Sequence, residues 1–451
     1  MFSARVRCAA CLIALTLLVA PAAAQDAAEA DTLSLQQAID AALEDNYQAR
    51  IARNDVDIAA NDYSIGNAGF LPTLSTDAGY NETISNSQQT FVTGQGQDVT
   101  GAKSTRRNAS ASLNWTLFDG LGRFATYNRL EAELRQEEAR RQERVESVLD
   151  RVIITYYDVA RQQQQLRVLE EGVAISEERL RITELRREVG SASDLQVRQA
   201  RIDLNADRAA LLRQRATLTS TKATLNQLLA RSPSATGYRV ADRIDLDRSL
   251  EQSAVVQAAE ERSPILQQAQ RALDAAESER REIQAERLPQ IDANINYGYS
   301  KLEAESGFLQ SSRSYDLTYG VSMTFDIFDG LDRRRRRENA AVRIRNAELA
   351  VEDIRTQLRA GLASAYEEYQ NRLELVALEE ENLAAAEANV DLALERFRLG
   401  EITTIELREV QEQRIEAESR LLTARFEAKQ AETTLLRLSG LLLGRVAPAN
   451  R

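Results

Sequence analysis

The sequence predicts a mainly α-helical chain with a transmembrane β portion, organised as a duplicated helix-strand-strand-helix unit. Three observations carry that reading. Tyr315, Leu317, Tyr319, Val321, Met323, Phe325 and Ile327 share one parity, with Ser314, Asp316, Thr318, Gly320, Ser322, Thr324 and Asp326 on the other. Such period-2 alternation gives a strand one apolar and one wet face, as a lipid-facing barrel strand has. Next, Trp115-Thr116-Leu117-Phe118-Asp119-Gly120-Leu121 returns as Phe325-Asp326-Ile327-Phe328-Asp329-Gly330-Leu331, so the unit is repeated. Finally, the stretch from Leu121 to Val189 contains no proline. As one helix it would run on the order of 100 Å, longer than any globular core.

The chain opens with Arg5 and Arg7, an apolar run from Ala9 to Ala20, Pro21, and Ala22-Ala23-Ala24 before Gln25-Asp26. This reads as a signal peptide over residues 1–24, too short to span a membrane as a helix. Both cysteines, Cys8 and Cys11, fall inside it, so thiol and disulfide chemistry is not expected beyond it. There is no histidine, which removes His-based triads, proton relays and most transition-metal sites. A net charge of -12 without a concentrated basic region argues against nucleic-acid binding. Beyond the leader no apolar stretch approaches the roughly 20 residues of a membrane-spanning helix, so a membrane role must come through strands.

The first repeat is placed at 25–232 and the second at 233–443, with a short tail at 444–451. Their junction lies where Ser232-Pro233-Ser234 and Gly237 break the helical pattern. Pro72 and Pro289 each end a helix and open a strand, because proline lacks a ladder amide and pushes its predecessor out of the helical region. The strands are expected at about 72–84 and 107–117, and again at about 289–300 and 314–327. Between them, 85–105 and 302–313 are rich in Gly, Ser, Thr and Gln and read as exposed loops. In the long helices apolar residues recur at three and four spacings, as Val145, Val148, Val152, Tyr156 and Val159 do. That is a narrow coiled-coil-like seam with much wet surface.

Four strands cannot close a barrel, since about eight are needed for even a side-chain-filled one. An open edge in lipid would leave backbone groups unsatisfied. Closure therefore requires copies of the chain arranged around an axis.

Leader, proline, strand pair, Phe-Asp-Gly and long helix, twice over, with a turn reading Arg396-Phe397-Arg398-Leu399-Gly400-Glu401-Ile402-Thr403-Thr404-Ile405, resemble the TolC-like outer-membrane efflux proteins. The likeness covers about Leu33 to Leu443. It implies a homotrimer with four strands per chain in one 12-stranded outer-membrane barrel, continued by a long periplasmic α-helical barrel. The implied function is the exit duct of a tripartite efflux or type I secretion system. Its implied partners are a periplasmic adaptor (membrane fusion) protein, an inner-membrane ABC or RND-type pump and outer-membrane lipid. No enzyme activity, cofactor or metal is implied. Gln25 stands where lipidated relatives carry a cysteine.

Gly190 and Gly400 suit helix C-caps, and Ser193-x-x-Gln196 and Thr403-x-x-Glu406 have capping-box spacing for the next helix. The resemblance implies that these turns form the periplasmic tip, and that Glu406 and Glu409 stand where relatives carry acidic entrance rings. Against this, Glu406 suits its own helix cap and Glu409 suits a solvated surface carboxylate. Phe397 stands where a tyrosine is typical and Ile402 where an arginine often sits, so the tip is expected to be fastened differently. Asp119-Gly120 and Asp329-Gly330 read as strand-to-helix turns in which Asp caps the next helix. Arg333 to Arg337 cover every face of a helix start, which suits solvation first and lipid phosphates second. Trp115, Tyr297, Tyr299, Tyr315 and Tyr319 suit interfacial girdles.

Two other classes compete. A periplasmic adaptor-like coiled-coil protein would need a compact lipoyl-like module and an inner-membrane tether, neither visible in the sequence. A carboxylate-only hydrolase would need two acids converging across a cleft, whereas these acids lie along extended helices.

Overall fold

The computed structural model describes residues 32–446 apart from 91, 307 and 308, so the expected signal peptide lies outside the described residues. Strand β1 (Thr32–Leu33) leads into α1 (Leu35–Asp45), α2 (Tyr47–Asp62), β2 (Thr73–Thr90), β3 (Gly96–Asp119), α3 (Gly122–Glu188) and α4 (Asp194–Leu228). The chain then runs through β4 (Arg239–Val240), α5 (Gln252–Arg262), α6 (Pro264–Ala285), β5 (Gln290–Ala304), β6 (Ser311–Thr324), α7 (Asp332–Leu399), α8 (Thr404–Leu438) and α9 (Leu442–Val446). The stretch expected to be a tail at 444–451 thus begins inside α9.

The four long strands form one antiparallel sheet in the order β2-β3-β5-β6, so the repeats meet along β3 and β5. Its apolar parity is uncovered: Leu74, Ile84, Trp115, Ile295, Leu317, Val321 and Met323 are all exposed. On the other parity polar side chains pair across strands, Thr116 donating to Asp292 at 2.7 Å and Asn296 to Ser112 at 2.7 Å. No described helix is long and apolar enough to cross a membrane.

All four long strands reach further into the expected loops than composition suggested, because ladder pairing is a backbone property. Most of 85–105 is paired strand, with Ser87↔Val99 and Thr90↔Gly96 beyond an irregularity at Ser85/Ser87. Asn86 Oδ1 accepts from the Gly101 amide at 2.7 Å beside that irregularity. With both faces polar there is no alternation to read. Similarly β5 runs to Ala304 and β6 starts at Ser311, so most of 302–313 is not loop. At the other end β6 stops at Thr324, short of the expected 327, because its partner β5 begins at Gln290 opposite Thr324. Phe325 and Ile327 keep the alternation without a ladder.

The helices α3 and α7 contain 67 and 68 residues, on the order of 100 Å each. Near the sheet, Arg129 of α3 bonds Glu282 of α6 at 2.8 Å; further down, α4 returns along α3, with Ser176 donating to Asp207 at 2.6 Å. Likewise α8 returns along α7. The main buried cluster sits between sheet and tip, where Val148, Val152, Tyr156 and Val159 of α3 meet α1, α4, α5, α7, α8 and α9. A feature invisible in the sequence closes this belt: β1 pairs parallel with β4. Gln163 acts there as a strand edge, donating to the Val240 carbonyl and accepting from the Val240 amide, both at 3.1 Å. The Tyr156 hydroxyl donates to the Leu33 carbonyl at 2.9 Å and accepts from the Ala241 amide at 3.2 Å.

Candidate functional site at the helical tip

Helix α3 ends at Glu188 with Val189 as its C-cap, and Gly190 turns the chain with φ +78°. Helix α7 ends at Leu399, capped by Gly400 with φ +82°. Glycine takes these left-handed values without a Cβ penalty. The Ser191 amide returns to the Arg186 carbonyl at 2.7 Å, and the Glu401 amide to the Arg396 carbonyl at 2.9 Å. Both capping boxes then start the return helices. The Ser193 amide donates to Gln196 Oε1 at 2.7 Å, and the Thr403 amide to Glu406 Oε2 at 2.7 Å.

That places Glu406 in its cap, where the Thr403 hydrogen bonds hold its carboxyl below the usual range. The cap's contribution is therefore full at neutral pH and fades as pH falls through the lowered value. Glu409, one turn on, is exposed and has no polar partner among the described residues. The two carboxylates lie on neighbouring positions of α8, one engaged and one free.

The tip is fastened by a device that sequence reading did not find. Arg186 of α3 lies 4.3 Å from the centre of the Phe397 ring and also donates to the Phe397 carbonyl. Phe397 is buried among Ala393, Leu407, Ile182, Leu394, Ile402 and Val410. Phe397 and Ile402, where a different fastening was expected, thus join a small apolar core under a stacked cation. Above it Arg408 of α8 reaches Asp207 of α4 through two nitrogens, at 2.6 and 2.9 Å, and Glu412 at 2.6 Å. Asp207 raises the Arg408 pKa. Arg179 is fully buried beside them with Asp203 at 3.1 Å, while its Nε and Nη1 have no hydrogen-bond partner. Burial, then the nearby Arg408 charge, lower its pKa.

At the other end of the long helices, Gly120 and Leu121 have φ +71°, and Gly330 and Leu331 have φ +66° and +70°. Leucine gives no sequence signal for that conformation. Asp119 accepts from the Arg123 amide at 2.7 Å, and Asp329 from the Arg333 amide at 2.9 Å. Each aspartate therefore caps its helix from two positions before the left-handed leucine. Asp119→Ala should cost about 1 to 2 kcal/mol in chemical denaturation, by freeing the amide and the guanidinium of the buried Arg123. An unchanged midpoint would show the cap to be idle. Pro72 and Pro289 stand immediately before β2 and β5 but do not end helices as expected, because α2 has already stopped at Asp62 and α6 at Ala285. Among the five arginines, Arg333 bonds Asp329 and the Glu286 and Asp326 carbonyls, Arg334 bonds Glu338, Arg335 bonds Asp332, and Arg336 bonds Asp332 and Glu286. Most of that run is thus spent on internal partners.

Outer membrane efflux protein is the family whose model matches this chain, over residues 16–231 and 255–441. The chain belongs to that family. Its matched relatives include Protein CyaE of Bordetella pertussis, 27% identical over 342 residues, which is 74% of this chain and 69% of that one. Another is the probable efflux pump outer membrane protein TtgC of Pseudomonas putida, 26% identical over 424 residues, 90% of this chain and 83% of the relative. Among solved structures, the outer membrane protein VceC of Vibrio cholerae superposes with TM-score 0.71 at 16% identity, covering 90% of this chain and 96% of its own. The CmeC outer membrane channel of Campylobacter jejuni gives TM-score 0.73 at 15% identity, covering 90% and 86%. The TolC-like resemblance, the mainly helical fold with a β portion, and the outer-membrane placement with a periplasmic helical part are thereby borne out. This family member is an outer-membrane exit duct of efflux or secretion systems. The family and its structural neighbours are channels, not enzymes.

Proposed function

We propose that three copies of the chain form one 12-stranded outer-membrane barrel and one periplasmic helical barrel, through which an inner-membrane pump and a periplasmic adaptor export their cargo. The observation that carries this reading is the four-stranded sheet, apolar on one uncovered face and unpaired at β2 and β6. In lipid those edges must pair, and another copy offers the complementary edge. Light scattering of the detergent-purified full chain should give three copies. A folded monomer with intact strand content would overturn the assembly.

The two hairpin turns at Gly190 and Gly400 form the end that meets the adaptor, and the entrance carries Glu406 and Glu409 from each copy. Carboxylates gathered in a narrow ring concentrate negative potential more than scattered surface acids do. A trivalent cation added on the tip side should block single-channel current in a planar bilayer. Because Glu406 is engaged in its cap and Glu409 is free, Glu409→Gln should relieve the block more than Glu406→Gln. Unchanged block in the double variant would make both ordinary solvated carboxylates.

A further inference from the structure

The two repeats meet inside the chain along β3 and β5, and that junction is a template for an interface the single chain leaves open. Its register is Asn108↔Ser300, Ala111↔Tyr297 and Leu113↔Ile295, shifting between Thr116 and Phe118, then Phe118↔Ile291 and Asp119↔Gln290. By the repeat, Phe118-Asp119-Gly120 corresponds to Phe328-Asp329-Gly330, so β3 corresponds to β6. Likewise Pro289 corresponds to Pro72, and the strands begin right after them, at Gln290 and Thr73, so β5 corresponds to β2. Those two, β6 and β2, are the free edges.

A glycine pair reports the same opening independently. At Gly120 a Cβ would overlap the Ala285 carbonyl and come 2.9 Å from Leu288 Cβ, so the turn is packed against the end of α6. Gly330, in the same left-handed conformation, has nothing within 4 Å. The repeat equivalents of Ala285 and Leu288 are Ala68 and Leu71, the same residue types, in the turn between α2 and β2. Leu71 is exposed in the single chain.

Resting on the reading that copies close the sheet, we infer that β6 of one copy pairs antiparallel with β2 of the next in the register Thr318↔Thr83, Val321↔Tyr80 and Met323↔Ala78. The segment 325–329, which has no ladder in the single chain, continues that strand, with Phe328 opposite Leu74 and Asp329 opposite Thr73 of the next copy. Gly330 then packs against Leu71 of the next copy as Gly120 packs against Leu288. The register keeps the faces matched: exposed Val321 meets exposed Tyr80, and exposed Leu317 meets exposed Ile84. A one-residue slip would set each against a polar neighbour instead.

Disulfide trapping tests the register directly, since Cys8 and Cys11 are the chain's two cysteines. Both are replaced by alanine in a full-length background, and single pairs are added: Val321→Cys with Tyr80→Cys, and Thr318→Cys with Thr83→Cys. The two pairs have opposite parity, so one falls at a closely spaced position of the antiparallel ladder, where Cβ atoms come near disulfide range. Copper-phenanthroline oxidation in outer membranes should give covalent dimers and trimers from at least one pair. Yields should exceed by about tenfold those of the shifted pairs Val321→Cys with Glu82→Cys and Val321→Cys with Ala78→Cys. Maleimide labelling and light scattering of each unoxidised variant establish reactive thiols and the number of copies. Trimers that cross-link at a shifted pair, or at neither inferred pair, overturn the register while leaving the trimer standing. Folded monomers overturn the assembly itself.

Discussion

Val321→Arg should prevent assembly into the outer membrane, whereas its neighbour Ser322→Arg should assemble and only narrow the lumen. Both positions lie in β6 and both are exposed in the single chain, so general exposure predicts no difference between them. The difference comes from what each face meets. Val321 shares its parity with Leu317, Tyr319 and Met323, and a guanidinium on such a face near the bilayer midplane costs roughly 2 to 4 kcal/mol. In a symmetric assembly that cost recurs in every copy. Ser322 shares the face of Asp292, its cross-strand partner, and Asn296, where an added cation meets water and carboxylates. Outer-membrane yield and the fraction running as heat-sensitive oligomer on a gel measure both. Equal behaviour of the two variants would show that the apolar parity does not face lipid.

The second large effect is expected at the tip. Asp207 accepts from Ser176 and from two nitrogens of Arg408, joining α3, α4 and α8 at one carboxylate. Asp207→Ala would leave Arg408 beside the buried Arg179, whose Nε and Nη1 already have no partner. Two guanidinium groups would then share Asp203 and Glu412. The side chains of the Arg408–Asp207 pair remain about one-fifth exposed, so water moderates the loss. A destabilisation of about 2 kcal/mol is expected, a factor of roughly 30 in local opening. Hydrogen exchange over the first three turns of α8 should accelerate by about that factor, with the middle of α3 unaffected. Asp207→Asn should fall between, because it keeps an acceptor without the charge. Unaltered exchange in the Ala variant would show that the Phe397 core and the Arg186 clamp hold the tip alone.

The sequence carried the strands' faces because alternation has a two-residue period and the repeat supplied it twice. It carried the Gly190 and Gly400 turns because a C-cap glycine and a capping box use local, fixed spacings. Strand ends were less legible: Ser, Thr and Gln between 85 and 105 have no apolar face to alternate, yet their backbone groups pair as well as any. Leu121 and Leu331 could not be read as left-handed, since leucine favours that conformation nowhere and accepts it here beneath an aspartate cap. Arg186 over Phe397 was hidden for a different reason. It depends on which faces of α3 and α7 meet across 211 positions of chain, and heptad spacing specifies a seam without naming the partner seam. The free state of Glu409 and the engaged state of Glu406 were both within reach, because capping boxes are local.

The short β1–β4 pairing has a bearing on biogenesis. Thr32 and Leu33 must wait for Arg239 and Val240; Tyr156 hydrogen-bonds to both sides of that closure and Gln163 to its β4 side. A chain delivered from its first residue onward therefore exposes more than half its length before the belt can lock. The α3–α4 hairpin has its contacts close at hand and should form early, while a parallel pairing over so long a span is slow. In the interval the first two strands emerge with unpaired edges in an aqueous compartment. The kinetic hazard of this architecture thus falls before membrane insertion, in a half-made chain whose helices are ready and whose belt is open.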